Sequence, residues 1–265
     1  MAARKSRSPI SLPAQPPAIH NSVTRALVAL ETIAASHRAV GLSELGELLR
    51  APKSSLHSIL HALAARGYLE IDAGRNYRLG VRTMEIGSSY LSQVTPLNVA
   101  HPELVKLSHE LHMTAHFAVL DGSEVLYLAK EDAPAIGIRL ASSVGTRLPA
   151  HLTAVGKAIL ANVATSAVTV NLKQVGSSGK PLTALAFSRE LARIRMQRYA
   201  VDEGETISAV RCVAAPMFEA NGRCCGAIGV SYLREGGPAR RLVADAVVRA
   251  AARASQQLGA PASVA

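Results

Sequence analysis

The chain has 265 residues, with 29 Lys+Arg against 19 Asp+Glu for a formal net charge of +10, 49% apolar residues and 18% charged ones. That length favours two domains over one, and that composition excludes extended disorder. Its uninterrupted apolar runs fall below the roughly 18 residues that a spanning helix needs, so no transmembrane segment and no membrane partner are expected.

Residues 1–19 read as a disordered basic arm. Arg4, Lys5 and Arg7 are followed by Pro9, Pro13, Pro16 and Pro17 where a secretory signal would place an apolar stretch. Next, residues 22–35 carry Val23, Ala26, Leu27, Leu30, Ile33 and Ala34 at helical spacing. A second amphipathic helix follows Gly41, with Ser43 as its expected cap and Leu42, Leu45, Leu48 and Leu49 as its apolar side. Pro52 interrupts the pattern. A third helix starts near Ser54, with Leu56, Ile59, Leu60 and Leu63 on one face, and ends at Gly67. Two short alternating runs, 68–71 and 76–79, are joined by the turn residues Asp72, Ala73, Gly74 and Arg75. Three helices and a hairpin describe a winged helix-turn-helix.

Residues 82–94 read as a connecting helix that Pro96 ends. Beyond it a helix is expected at about 100–111, then strands at 115–120 and 124–130 around Asp121-Gly122, and a further strand at 136–140. A helix opens at about Thr153 after a loop holding Gly145 and Pro149. Residues 162–188 are weakly patterned, and 190–197 return to helix. A hairpin at 211–218 and 223–232 turns at Asn221-Gly222, and an Ala-rich helix closes the chain at 239–258. Hairpins with flanking helices predict an antiparallel sheet covered by helices.

On a helical wheel the third helix turns Ser54, His57, Ser58 and His61 away from its leucines. Such short hydrogen-bonding side chains can reach base edges, and Lys53 at the helix entrance can meet a phosphate. A solvated polar face is the plainer alternative. The surroundings favour the sharper reading: from residue 50 to 82 there are six basic side chains (Arg50, Lys53, Arg66, Arg75, Arg78 and Arg82) against Glu70 and Asp72. Arg75, at the hairpin tip, is placed for a backbone or minor-groove contact. A net positive chain makes a polyanion the leading partner, while three Phe, six Tyr and no Trp argue against a stacking platform for single strands.

His57 and His61 have zinc-compatible spacing, but Ser58, Ile59 and Leu60 between them supply no acid. His101, His109, His112, His116 and His151 share no spacing and are expected to be structural or surface residues. Cys212, Cys224 and Cys225 cannot all pair within one chain, and a reducing cytoplasm is the natural setting. No Gly-x-Ser-x-Gly elbow and no phosphate-cradling glycine loop occurs. No metal, no cofactor and no catalytic constellation is therefore expected, which leaves the alternative of a small-molecule enzyme with an N-terminal interaction domain without a nucleophile.

Leu42-Ser43-Glu44-Leu45, Ala51-Pro52-Lys53-Ser54-Ser55-Leu56-His57-Ser58-Ile59-Leu60, Arg66-Gly67-Tyr68-Leu69 and Tyr77-Arg78-Leu79-Gly80 together resemble the DNA-binding domain of the IclR family of bacterial transcriptional regulators. The likeness continues through Ile138-Arg139-Leu140, the stretch 145–158 from Gly145 through Thr153-Ala154-Val155-Gly156, and Val210-Arg211-Cys212-Val213-Ala214-Ala215-Pro216. The resemblance covers about 22–258; with the residue pattern it gives an expected α+β chain of a disordered arm (1–19), a winged helix-turn-helix (20–82), a linker helix (83–96) and, as the resemblance implies, a GAF-like α/β effector-binding domain (97–260). It implies a homodimer, or a tetramer built from dimers, on a near-palindromic double-stranded operator, more often as a repressor. Arg50, Lys53, Ser54, Ser55, His57, Ser58, His61, Arg75 and Arg78 are the expected DNA-binding set. The resemblance also implies a pocket for a small organic or aromatic acid, lined by Thr153, Ala154, Val155, Asp202, Cys212, Gly229 and Ser231. Three departures stand out. Gly229 lies where some members carry Ser, which predicts a wider pocket; Ser58 lies where many place Arg; and residues 162–188 lack the usual Thr-rich connection.

Overall fold

The computed structural model describes residues 22–132, 143–164, 169–177, 179 and 182–262, in two compact units, Met1–Leu91 and Ser92–Ala265. The expected strand at 136–140, with the motif residues 138–140, lies outside the described residues. No helix among them is long and apolar enough to cross a membrane.

In the first unit, helices α1 (Ser22–Ser36), α2 (Leu42–Leu48) and α3 (Lys53–Ala65) bring Ala29, Ile33, Leu45, Leu56 and Leu60 into one core. A small sheet closes it. Strands β1 (Val40–Gly41), β2 (Leu69–Ile71) and β3 (Asn76–Leu79) lie in the order β1-β3-β2, all antiparallel, and bury Leu69 and Tyr77 against the helices. Strand β1 was not expected; at two residues it is too short to show alternation. It also displaces the expected cap of α2: Gly41, paired with Asn76, runs straight into the helix, so Gly41 takes the N-cap position and Ser43 falls inside the first turn. At the hairpin tip the Asp72 carboxylate accepts the Asn76 amide at 2.8 Å, and Arg75 takes a left-handed conformation, φ 57°.

Helix α4 (Val81–Gln93) follows, with no buried residue along its thirteen. Pro96 does not end it. It sits in the first turn of α5 (Thr95–Leu111), where a missing N–H costs nothing, so α5 starts five residues before the expected position.

The second unit is built on a six-stranded antiparallel sheet of β4 (Thr114–Asp121), β5 (Glu124–Glu131), β6 (Arg147–Pro149), β7 (Ala200–Asp202), β8 (Val210–Phe218) and β9 (Cys224–Leu233), in the order β6-β5-β4-β9-β8-β7. The edge strands β6 and β7 are three residues each, too short to show alternation, and β6 falls within the expected loop of Gly145 and Pro149. Helix α5 and the closing helix α8 (Arg240–Gln257) pack on each other and on one face; α6 (Ala154–Leu160) covers the other, backed by α7 (Ala184–Gln197). Thr183 caps α7 by accepting the Ala186 amide at 3.2 Å, so this helix begins six residues ahead of the expected 190. Gly156 permits the close approach of α6: a Cβ there would stand 2.1 Å from the Ala150 carbonyl oxygen.

Candidate functional site

Helix α3 presents two unlike faces. Leu56 and Leu60 are fully buried, while Lys53, Ser54, His57, Ser58 and His61 are exposed. The burial of the leucines fixes the rotation of the helix, and thereby sets the polar side chains outward. His57 and His61 stand one turn apart with ring centroids 6.1 Å from each other, and no group of three His, Cys, Asp or Glu able to hold a metal occurs among the described residues. Ser58 Oγ leans back on the Ser54 carbonyl at 3.4 Å. Ser55 differs from its neighbours. It is half-buried on the flank of the helix, where its Oγ accepts a hydrogen bond from Arg25 Nη1 at 3.1 Å and ties α3 to α1.

The expected cations also separate. Arg50 and Arg75 are exposed, both in left-handed turns. Arg78 lies on β3 directly opposite Glu70 on β2, and its Nη2 pairs with that carboxylate at 2.7 Å. A guanidinium held this way has less to give a phosphate than Arg75 at the tip.

In the second unit, strand register builds a polar row. Asp202 on β7 is paired with Cys212 on β8, Cys212 with Ser231 on β9, and Ser231 with Thr114 on β4. Directly paired residues share a face, so the first three side chains meet at one cavity, and Cys212 Sγ lies 3.0 Å from Ser231 Oγ. Thr153, Ala154 and Val155 at the opening of α6 complete the wall. Thr153 Oγ1 accepts the Gly156 amide at 3.0 Å, and the first intrahelical bond runs from the Lys157 amide to the Thr153 carbonyl. The amides of Ala154 and Val155 therefore precede the helical ladder, the position from which a helix start serves an acceptor. The cavity is small, about 30 Å³.

Gly229 is placed beside this cavity, but its expected effect is corrected. It does not widen the pocket. The glycine is the cross-strand partner of His116, and a Cβ on it would come 2.8 Å from His116 Nε2 and 3.1 Å from Val155 Cγ1. The imidazole fills the room the missing side chain leaves. His116 and Tyr127, which packs edge-on to it at 5.3 Å between centroids, both line the cavity, as does Thr206. Spacing along the chain could not single out His116; only its register with Gly229 brings it to the site.

Charge at the cavity is set by burial. Asp202 is 2% exposed, and burial pushes its carboxyl up to about 7, with the neighbouring Glu205 adding to the push. Its Oδ1 accepts the amides of Gly204 at 2.8 Å and Glu205 at 2.5 Å. Burial would raise Glu205 as well, but Asp202 and the Lys157 ammonium outweigh it and hold Glu205 below the usual carboxylate range. The shared proton thus rests on Asp202. Burial, followed by the Asp202 charge, raises the Cys212 thiol to about 12, so it acts as a weak hydrogen-bonding group and not as a thiolate. Burial and the charge of Lys130 drive His116 down to about 4, which leaves a neutral ring. Its Nδ1 is buried without a hydrogen-bond partner among the described residues, a state that costs about 1–3 kcal/mol unless a partner arrives.

A second, wider cleft of about 210 Å³ opens where β8 runs past the end of β7, between α7 and α8, with Arg195 and Arg198 at its rim. None of the expected effector residues lines it.

A winged three-helix unit with an exposed polar helix face, followed by a separate sheet unit, defines a helix-turn-helix regulator of transcription. Residues 22–73 match the IclR helix-turn-helix domain, and residues 88–257 match the model described as bacterial transcriptional regulator IclR C-terminal. The chain belongs to the IclR family of DNA-binding transcriptional regulators, which are not enzymes. Among its relatives, the HTH-type transcriptional regulator XynR of Escherichia coli K12 is 32% identical over 221 residues, 81% of this chain and 87% of the relative. The transcriptional repressor IclR of the same organism is 29% identical over 251 residues, 92% of this chain and 90% of the relative. The IclR structure of Thermotoga maritima superposes with a TM-score of 0.75 at 26% identity, covering 90% of this chain and 98% of that one. An IclR homologue from Microbacterium hydrocarbonoxydans complexed with 4-hydroxybenzoate shares the fold, with a TM-score of 0.78 at 23% identity over 90% of this chain and 99% of that one.

Proposed function

We propose that this protein is a repressor that binds a near-palindromic operator as a dimer and changes its grip on DNA when a small organic acid enters the cavity beside Asp202. The observation that carries the reading is the outward face of α3: Lys53, Ser54, His57, Ser58 and His61 stand in solvent because Leu56 and Leu60 are held in the core. In this reading residues 20–82 recognise DNA, 83–96 link, and 97–260 sense. Ser54, His57, Ser58 and His61 read base edges; Arg50, Lys53 and Arg75 hold phosphates; Ser55 and Arg78, engaged by Arg25 and Glu70, contribute less.

Two further features support it. Helix α4 has no buried residue, yet exposes Val81 and Met84 on one side and Ile86 and Tyr90 on the other; the first pair, the more exposed, is suited to a second copy of the chain. The relatives named as repressors and the homologue holding 4-hydroxybenzoate favour an acid-responsive repressor. The cavity, about 30 Å³, favours the short end of the acids. A carboxylate there would meet the α6 amides and share a proton with Asp202.

The test is selection of bound sites from a random duplex pool, followed by a salt titration on the selected site. An inverted repeat is expected, with half-sites about one helical turn or a multiple apart, and affinity falling steeply with salt. A lone half-site would remove the dimer, and a salt-independent affinity would remove DNA as the partner.

A further inference from the structure

The imidazole beside Gly229 is a polar ring of the cavity wall that the reading above does not use. It is 1% exposed, lines the same cavity as Asp202, Cys212 and Ser231, and its Nδ1 has no hydrogen-bond partner among the described residues. The surrounding packing is specific to it. Tyr127 meets the ring edge-on, and the Cβ that any residue other than glycine would add at 229 falls 2.8 Å from Nε2. A residue there only to fill space has no need of nitrogen, and an apolar ring would avoid the unsatisfied group.

We propose that His116 is a specificity-determining ligand-binding residue, whose side chain takes the second polar oxygen of an effector that carries a hydroxyl or carbonyl in addition to its carboxylate. The proposal rests on the effector reading given above. Its geometry comes from register. Asp202, Cys212 and Ser231 form one cross-strand row, and His116 with Gly229 and Ala214 forms the next row on the same face, two residues along each strand and so roughly 7 Å away. A ligand whose carboxylate sits at the first row and the α6 opening therefore presents its far end to the second. A neutral imidazole carries one donor and one acceptor nitrogen, so it can serve either a hydroxyl or a carbonyl oxygen. The chemical class this defines is a hydroxy- or oxo-substituted monocarboxylate, in preference to the unsubstituted acid of the same skeleton.

The experiment is a calorimetric titration of the full-length protein with matched acid pairs: 3-hydroxypropionate and propionate, 4-hydroxybutyrate and butyrate, 4-hydroxybenzoate and benzoate. The wild-type protein is expected to prefer the substituted member of at least one pair by about tenfold, the effect of one hydrogen bond in a buried site. His116→Phe keeps a ring against Tyr127 and is expected to bring that ratio to about one. Should the phenyl ring prevent folding, His116→Leu carries the same expectation. A tenfold preference that survives in either folded variant overturns the role of His116 and leaves the effector reading standing. If no acid of the three pairs binds the wild-type protein, the effector reading falls, and this proposal with it.

Discussion

Lys157 Nζ stands 2.9 Å from a carboxylate oxygen of Glu190 and 2.9 Å from one of Glu205, so a single ammonium, 1% exposed, joins α6, α7 and the turn that follows β7. Burial works against its charge, and the two glutamates more than restore it. The same turn supplies the amides that hold Asp202, which ties this ion triad to the cavity that Asp202 lines.

Removing the cation strands both acids. Lys157→Met is expected to destabilise the second unit by about 2–3 kcal/mol, below the usual range for breaking a buried pair because both glutamates keep some solvent. For a unit of this size that corresponds to a melting point lower by about 5–10 °C in calorimetry. Glu190→Gln leaves Lys157 its Glu205 partner and should cost clearly less. Equal losses in the two variants would mean that the triad does not act through Lys157.

Asp202 links the cavity to pH. Its folded carboxyl is raised to about 7 from an ordinary value near 4, chiefly by burial, so the folded state holds a proton that the unfolded chain has released. The stability from that proton is complete below the unfolded value and is lost as pH rises through about 7. Asp202→Asn keeps an oxygen for the Gly204 and Glu205 amides but cannot ionise. The melting point of the variant minus that of the wild type should therefore increase between pH 5 and pH 8. A difference that stays flat, or that shrinks with pH, would show that Asp202 is ionised in the folded protein throughout.

Much of this architecture was legible because it rests on periodicity. The leucines of α3, the Asp72 to Arg75 turn and the Asn221-Gly222 hairpin each declare themselves within a dozen residues. Edge strands β1, β6 and β7 did not, since two or three residues carry no period and their pairing is decided by distant partners such as Tyr77, Leu126 and Val213. The cavity divides in the same way. Thr153 to Val155, Asp202, Cys212 and Ser231 were reached through a family resemblance, and strand register brings them together. His116 was missed and Gly229 misjudged for one reason: their meaning lies in a cross-strand contact between residues 113 positions apart.

On the DNA side, two kinds of contact are expected to fail differently. Lys53→Ala should weaken operator and random duplex alike and lower the slope of log affinity against log salt by about one, the signature of a lost phosphate contact. The double variant His57→Ala/His61→Ala should instead narrow the gap between operator and random duplex by about tenfold or more, with its random-duplex affinity and salt slope nearly unchanged. Fluorescence anisotropy with both duplexes across a salt series separates the two. If the histidine variant loses both affinities in parallel, those rings do not read bases.

The exposed apolar side chains of α4 lead to the last expectation. Val81 and Met84 are 67% and 68% exposed, and Ile86 and Tyr90 about half exposed, on a helix that buries nothing of its own. Charges at such positions should leave the fold intact, because no core contact is lost. Val81→Glu/Met84→Glu should nevertheless raise the dimer dissociation constant by at least about tenfold, since burying two carboxylates against a partner copy carries a large desolvation cost. Sedimentation velocity over a dilution series reads this directly. Operator affinity should fall with it while affinity for a single half-site is kept, because each copy still carries its own α3 and only the coupling between the two is lost. An unchanged dimer constant in the charged variant would assign the contact between copies to another surface.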